Sequence, residues 1–192
     1  SVFVRFPLVD KPDTSLLVWT TTPWTLPSNV AVAAHPDVDY VTVERDNEGT
    51  TEKLILARNL VEKVFRGEEV KIVDTFKGKK LKGMKYQPLY TFMPVDKPAY
   101  YVILADYVTI EDGTGLVHTA PAFGQEDMES GKLHDLPILL TVQPDGAFIP
   151  EITPWRGIFV KDADPQIIKD LETRGLMYRS EKYTHTYPFC WR

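Results

Sequence analysis

Hydroxyls, rings and carboxylates crowd into two stretches of this chain. The first is Trp19-Thr20-Thr21-Thr22-Pro23-Trp24-Thr25-Leu26-Pro27-Ser28-Asn29, where four threonines and two tryptophans fall within seven residues. Hydroxyls at a strand end, walled by aromatic rings, can hold a water or a small polar group. They are poor general bases near neutral pH. The plainer alternative is a strand ending in a proline turn, since threonine is a good strand former. The second stretch is Gly113-Thr114-Gly115-Leu116-Val117-His118-Thr119-Ala120-Pro121-Ala122-Phe123-Gly124-Gln125-Glu126-Asp127. Its glycines permit tight backbone near a ligand. His118 would end a strand. Asp127 would sit in the first turn of a helix, where the macrodipole favours its ionised form. On residue type alone, Asp127 reads equally as an ordinary helix-start acid, and His118 as a satisfied core histidine.

Several chemistries find no residues here. The sequence has no Gly-x-Ser-x-Gly elbow, no Gly-x-x-x-x-Gly-Lys-Ser/Thr phosphate loop and no Gly-x-Gly-x-x-Gly. His35, His118, His134 and His185 are not at metal-ligand spacings, and the single cysteine, Cys190, cannot make a zinc site alone. No metal and no cofactor are expected. One cysteine also excludes a disulfide within the chain, so a reducing, cytoplasmic setting is the expectation.

The elements that must position these residues come next. Val2, Val4, Phe6 and Leu8 alternate as in a strand. Leu16 to Trp19, Asn29 to Ala34, Ala99 to Leu104, Leu116 to Thr119 and Pro137 to Thr141 are further strand candidates. Tyr40 to Glu44 and Lys53 to Ala57 flank Asp46-Asn47-Glu48-Gly49 as a hairpin. Helices are fewer. One is expected over Arg58 to Arg66, ended by Gly67, and a short one from Gln125 that stops before Pro137. The best-marked helix runs from Pro165 to Arg174, with Asp164 as cap, Gly175 as exit and Ile167, Ile168 and Leu171 as its buried stripe. Many short strands with interspersed helices predict an α+β fold: a β-barrel-rich domain with a few peripheral helices.

The chain has 192 residues, 43% of them hydrophobic and 11% aromatic, enough for one domain with a real core. The boundaries expected are 1–192, a single domain. No apolar run approaches the ~18 residues that a membrane span needs. The net charge is −5, which weighs mildly against a nucleic-acid partner. Lys77, Lys79, Lys80, Lys82 and Lys85 are a local exception, read either as a solvated turn or as an RNA-facing patch. The chain opens on Ser1-Val2-Phe3 without a methionine and stops at Cys190-Trp191-Arg192, which predicts an insert within a longer protein.

Taken together, the two stretches resemble the signature segments of the editing domain inserted in isoleucyl-tRNA synthetases. The first matches as Thr20-Thr21-Thr22-Pro23-Trp24-Thr25. The second matches as Gly113-Thr114-Gly115, His118, Ala120-Pro121-Ala122, Gly124 and Asp127. Tyr187-Pro188-Phe189-Cys190-Trp191-Arg192 is similar to that family's return strand. Sister valyl and leucyl editing domains typically carry Thr-Thr-Arg-Pro in the first segment, and the valyl type usually has Lys where His118 stands. The segments that mark the aminoacylation site, His-x-Gly-His and Lys-Met-Ser-Lys-Ser, do not occur.

The resemblance implies hydrolysis of mischarged valyl-tRNA, and of valyl-adenylate as a further option. One methylene gives a binding pocket too little free energy for faithful selection, isoleucine against valine being the standard illustration of that limit. A second, smaller pocket then admits valine and destroys what fits. By resemblance Asp127 grips the α-ammonium group, and Thr20, Thr21 and Thr22 place a water against the ester with help from backbone N–H groups near Gly124. His118, Trp24, Ala120, Phe123 and Gly124 line the substrate, with His118 acting either as size filter or as base. The partners implied are the 3′ end of aminoacylated tRNA, its valine moiety and the covalently linked remainder of the synthetase. The expected assembly is a monomer, with no membrane partner. Two alternatives stay open: a valyl-type editor that clears threonyl-tRNA, and an inactive tRNA-binding insert.

Overall fold

The structure is a computed structural model, and residues 1–182 are described. Nine strands make one mixed sheet: β1 (Val2–Pro7), β2 (Thr14–Thr20), β3 (Ala31–Ala34), β4 (Asp39–Asn47), β5 (Thr50–Ala57), β6 (Lys71–Lys77), β7 (Tyr101–Leu104), β8 (Leu116–Thr119) and β9 (Met177–Ser180). Three α-helices lie among them: α1 (Val61–Phe65), α2 (Gln125–Leu133) and α3 (Val160–Thr173). The sheet path is β6-β4-β5-β2-β8-β3-β7, with β1 on the other edge of β2 and β9 beyond it. Single bridges Lys85↔Tyr101 and Leu8↔Tyr86 carry the path from β7 back to the end of β1. The sheet therefore curls into a barrel, as its many short strands predicted.

β2 explains the curl. It pairs β1 antiparallel along its length, and on its other edge β5 through Thr14–Leu16 and β8 through Trp19. Leu16, Leu17 and Val18 are all buried. A strand covered on both faces reads as a continuous apolar run rather than an alternation. The β4–β5 hairpin turns at Glu48-Gly49, both with positive φ, inside the predicted hairpin.

The helices depart from expectation in informative ways. α3 begins at Val160, five residues before the expected start, and encloses Pro165. Its buried stripe is Val160, Ala163, Ile167 and Leu171, spaced for one helix face. Burying such a stripe stabilises by about 1.5–3 kcal/mol per large apolar side chain, which outweighs the hydrogen bond that proline removes. Asp164 therefore lies inside the helix and does not cap it. Ile168 is only half-buried, and Gly175 leaves the helix at φ 71° as expected. The helix expected from Arg58 splits into a 3-10 turn, Arg58–Leu60, and α1, and Arg66 itself adopts the left-handed C-cap ahead of Gly67.

Pro137 to Thr141 is not a strand. Leu136, Leu139 and Thr141 are buried while Ile138 and Leu140 are exposed, and the segment forms no strand pairing. β6 and β9 have no sequence signal. β6 is exposed along almost its whole length, so it lacks an alternating apolar face. Lys79, Lys80, Lys82 and Lys85 are exposed, around a 3-10 turn at Gly78–Leu81. Lys77 is ion-paired to Asp39. Among the described residues no helix is long and apolar enough to cross a membrane. Cys190, His185 and the segment Tyr187 to Arg192 lie outside the described residues.

Candidate active site

β2 and β8 run parallel, with Trp19 opposite Val117, so both strands finish at the same end of the sheet. β3 runs antiparallel to β8 and starts there, with Ala31 opposite Thr119. The topology thereby brings together the residues after Thr20, those before Ala31 and those around His118. The two stretches are 93 residues apart in sequence at Thr25 and His118, yet their side chains touch.

The threonine stretch leaves β2 and folds into a 3-10 turn, Pro23–Ser28. Pro23 suits the first position of that turn, because its missing N–H would be unbonded there anyway. Thr25 closes the turn twice: its backbone N–H donates to the Thr22 carbonyl at 3.0 Å, and its hydroxyl donates to the same oxygen at 2.8 Å. Thr20 Oγ1 accepts from the Thr22 backbone N–H at 3.1 Å and lies 3.3 Å from Thr22 Oγ1. Thr22 Oγ1 lies 3.1 Å from Thr25 Oγ1. Three hydroxyls thus form a tied array. Thr21 is half-buried, and its hydroxyl has no hydrogen-bond partner among the described residues.

His118 stands behind this array, buried, on β8. Its Nε2 is 2.8 Å from Thr25 Oγ1 and its Nδ1 is 2.8 Å from Asn29 Nδ2. Burial pulls its pKa down to about 4, so the ring is neutral near pH 7. With both nitrogens engaged, neither is free to take a proton from a water. Asn29 in turn donates to the Ala31 carbonyl at 2.9 Å and accepts from the Tyr86 hydroxyl.

Asp127 occupies the first turn of α2. Its Oδ2 accepts the Ala120 backbone N–H at 3.0 Å. Desolvation by burial raises its pKa, the Ala120 N–H opposes that shift, and Glu126 adds to it. A carboxylate stripped of water but given only one N–H gains most from a cation. No hydrogen bond joins Asp127 to the threonines among the described residues. Near Asp127 the two stretches meet through rings, in addition to the Thr25–His118 hydrogen bond: Trp24 packs edge-on against Phe123, centroids 5.2 Å apart. Ala120 is buried, Phe123 half-buried and Gly124 exposed at the entrance to α2.

The glycines of the second stretch serve packing. Gly113 and Gly115 both have φ 76°; a Cβ would come within 2.7 Å of Trp19 at the first and 2.6 Å of Ala57 Cβ at the second. Among the described residues no three His, Cys, Asp or Glu side chains gather as a metal site requires. A groove of about 550 Å³ between β4, β5 and Met84 shares none of the residues above and holds the Lys53–Asp13 ion pair. The candidate site lies at the threonine–aspartate set, where the two stretches that resemble the editing-domain segments meet.

Four contributors carried no role at this site in the sequence. Thr25 and Asn29 lie inside the first stretch, and the three-residue step from Thr22 to Thr25 is the signal that a 3-10 turn would stack them. Tyr86 has no local signal, because only barrel closure brings it here. Asp164, on α3, braces the turn from outside by accepting the Trp24 backbone N–H.

Comparisons with known proteins agree with this geometry. Residues 2–183 match the family described as the leucyl-tRNA synthetase editing domain. The chain is 50% identical over 192 residues to an isoleucine–tRNA ligase of Clostridium novyi, covering 100% of this chain and 18% of that protein. It is 47% identical over 202 residues to an isoleucine–tRNA ligase of Pyrococcus furiosus, covering 100% of this chain and 19% of that one. The chain thus spans under a fifth of the length of these curated relatives. The solved structure described as GlLeuRS-CP1 superimposes with a TM-score of 0.74 at 13% identity, covering 97% of this chain and 99% of that one. The editing domain of the P. knowlesi cytosolic leucyl-tRNA synthetase gives 0.71 at 10% identity, covering 92% and 94%. At such low identity these two structures speak for the fold alone. The family match over nearly the whole described chain, with the long alignments to isoleucine–tRNA ligases, establishes that this chain belongs to the synthetase editing-domain family.

Proposed function

We propose that the chain hydrolyses the ester of valyl-tRNA made by an isoleucine–tRNA ligase. The observation that carries this reading is the pairing of a tied threonine array with a desolvated aspartate, on two stretches joined by Trp24 and Phe123. Asp127 takes the α-ammonium group of the aminoacyl ester in a charge-assisted hydrogen bond, using the oxygen not held by Ala120. That pairing relieves the desolvation which raises the Asp127 pKa. Thr20, Thr21 and Thr22 place a water against the ester carbonyl, and Thr21 brings the unpartnered hydroxyl. The N–H groups at the start of α2, beside Gly124, face the developing oxyanion. Trp24, Phe123 and Ala120 bound the space for the side chain, with His118 behind them limiting its size.

An aminoacyl ester is already reactive, so positioning supplies most of the acceleration. The reading needs no serine or cysteine nucleophile and no metal. The tRNA 3′ end and the remainder of the synthetase are the partners, and the chain acts as a monomer.

The test is deacylation of valyl-tRNA(Ile) by the chain itself, against isoleucyl-tRNA(Ile) and threonyl-tRNA. Loss of the valyl ester with sparing of the isoleucyl ester is expected. Faster clearance of threonyl-tRNA would move the assignment to the valyl type, and no hydrolysis of any ester would leave only a binding insert.

A further inference from the structure

The buried polar groups behind the threonines have a single consistent set of hydrogen-bond directions. The Ala31 carbonyl can only accept, so the Asn29 atom 2.9 Å from it is the amide nitrogen. That nitrogen can only donate, so His118 Nδ1, at 2.8 Å, is an acceptor without a proton. A neutral histidine then carries its proton on Nε2 and donates to Thr25 Oγ1 at 2.8 Å. Thr25 uses its own proton on the Thr22 carbonyl. Its oxygen is left to accept from Thr22 Oγ1, which in turn accepts from the Thr20 hydroxyl. At the far end, Asn29 Oδ1 accepts from Tyr86.

Resting on the deacylase reading above, we propose that Tyr86 is a positioning residue. Its buried hydroxyl holds Asn29 Oδ1 and so secures, together with the Ala31 carbonyl on the amide nitrogen, the facing of the Asn29 amide, hence the tautomer of His118, hence the direction of the Thr25, Thr22 and Thr20 hydroxyls. Tyr86 is 1% exposed and reaches the threonines through Asn29 and His118. Burial raises its pKa well above that of an ordinary tyrosine, so it stays a donor at every working pH. Its ring packs edge-on to Phe6, at 5.1 Å, and to Tyr100, at 6.3 Å, which leaves only the hydroxyl for polar work. Within this relay His118 is an orienting group whose basic lone pair is consumed by Asn29, and it removes no proton from water.

Tyr86→Phe keeps the ring packing and deletes only the donor. The Asn29 oxygen is then buried without a partner, and the facing of the amide rests on the Ala31 carbonyl alone. Hydrolysis of valyl-tRNA should lose roughly ten- to a hundred-fold in kcat, the scale of a misplaced reacting group, with KM nearly unchanged. Nitrogen-15 NMR of histidine-labelled protein reads the tautomer directly. Wild type should show His118 only with Nε2 protonated, and Tyr86→Phe should add a form with Nδ1 protonated. Asn29→Asp provides a second reading from the next link: a carboxylate only accepts, so His118 should switch to an Nδ1 proton.

Wild-type kcat in Tyr86→Phe overturns the positioning role. A slowed Tyr86→Phe whose His118 spectrum is unchanged reduces Tyr86 to a packing residue and overturns the relay. An Nε2 proton retained in Asn29→Asp does the same. An inactive wild-type chain would sink the deacylase reading instead, while the His118 spectra would still decide the relay.

Discussion

At the residue scale, charge and proton position separate the roles of two polar groups that look alike in sequence. Asp127 must be ionised to hold an ammonium group, and burial raises its pKa above the usual aspartate value of 3.8. The proton is therefore regained at higher pH than in an ordinary aspartate, and kcat/KM should fall on the acid side sooner. A pH–rate profile of the free chain measures this. Asp127→Asn, close in size, should lose at least about a hundred-fold in kcat/KM while retaining the fold, as judged by thermal melting. His118 behaves in the opposite sense. Its pKa of about 4 leaves it neutral through the physiological range, so no limb between about pH 5 and 8 should belong to it. His118→Asn should not remove such a limb if one is seen. The two stretches that hold Asp127, His118 and the threonines were legible from type and spacing together with family likeness, and the structure brings them into contact. What was illegible is which nitrogen of His118 carries the proton. That depends on Asn29 and Tyr86, and Tyr86 is 57 residues beyond Asn29 along the chain.

At the element scale, the 3-10 turn Pro23–Ser28 is gripped between β8 and α3, and two substitutions probe the grip. Asp164 accepts the Trp24 N–H with one oxygen, while Oδ1 is buried without a partner. Burial raises its pKa from 3.8 to about 6. A raised carboxyl pKa means that ionisation weakens the fold: the penalty is absent below 3.8, grows between the two values and is complete above about 6. Asp164→Asn should accordingly raise Tm at about pH 8 and lose that advantage at about pH 4. An equal gain at both would rule out ionisation as the cause. Gly115 is the second probe. Its φ of 76° and the 2.6 Å approach of a Cβ to Ala57 predict that Gly115→Ala destabilises by about 1–3 kcal/mol in urea titrations. Elements with an apolar face announced themselves, as β1 and β8 did within a residue or two, whereas α2, which buries only Ser130 and Gly131, was marked by its ends. α3 was misjudged at its start because Pro165 and Asp164 form a convincing helix opening, and the Val160–Ala163 turn before them outweighs it by burial. β6 and β9 are held by their neighbours' edges, and edge pairing leaves no pattern in the paired strand.

At the scale of the whole molecule, the barrel holds every candidate residue at one end of the sheet, and no described group of side chains resembles a metal site. Valyl-tRNA hydrolysis should therefore survive exhaustive chelation. A loss that zinc restores would contradict the positioning mechanism outright. The barrel-rich architecture was legible from strand number and spacing, but its closure was not. The bridges Lys85↔Tyr101 and Leu8↔Tyr86 are single residues without any repeat or period. The β1–β9 pair carries a further consequence. Val2 lies opposite Ser180, the Ser1 backbone nitrogen donates to the Glu181 carbonyl at 2.7 Å, and the Glu181 N–H donates to the Ser1 carbonyl at 2.9 Å. Tension applied at Ser1 and at Lys182 would pull both strands from the same end. An antiparallel pair tugged that way opens like a zipper, one hydrogen bond at a time, rather than resisting in shear. Val2 is also paired with Thr20 on β2, so tension that opens this ribbon reaches the strand that carries the threonines.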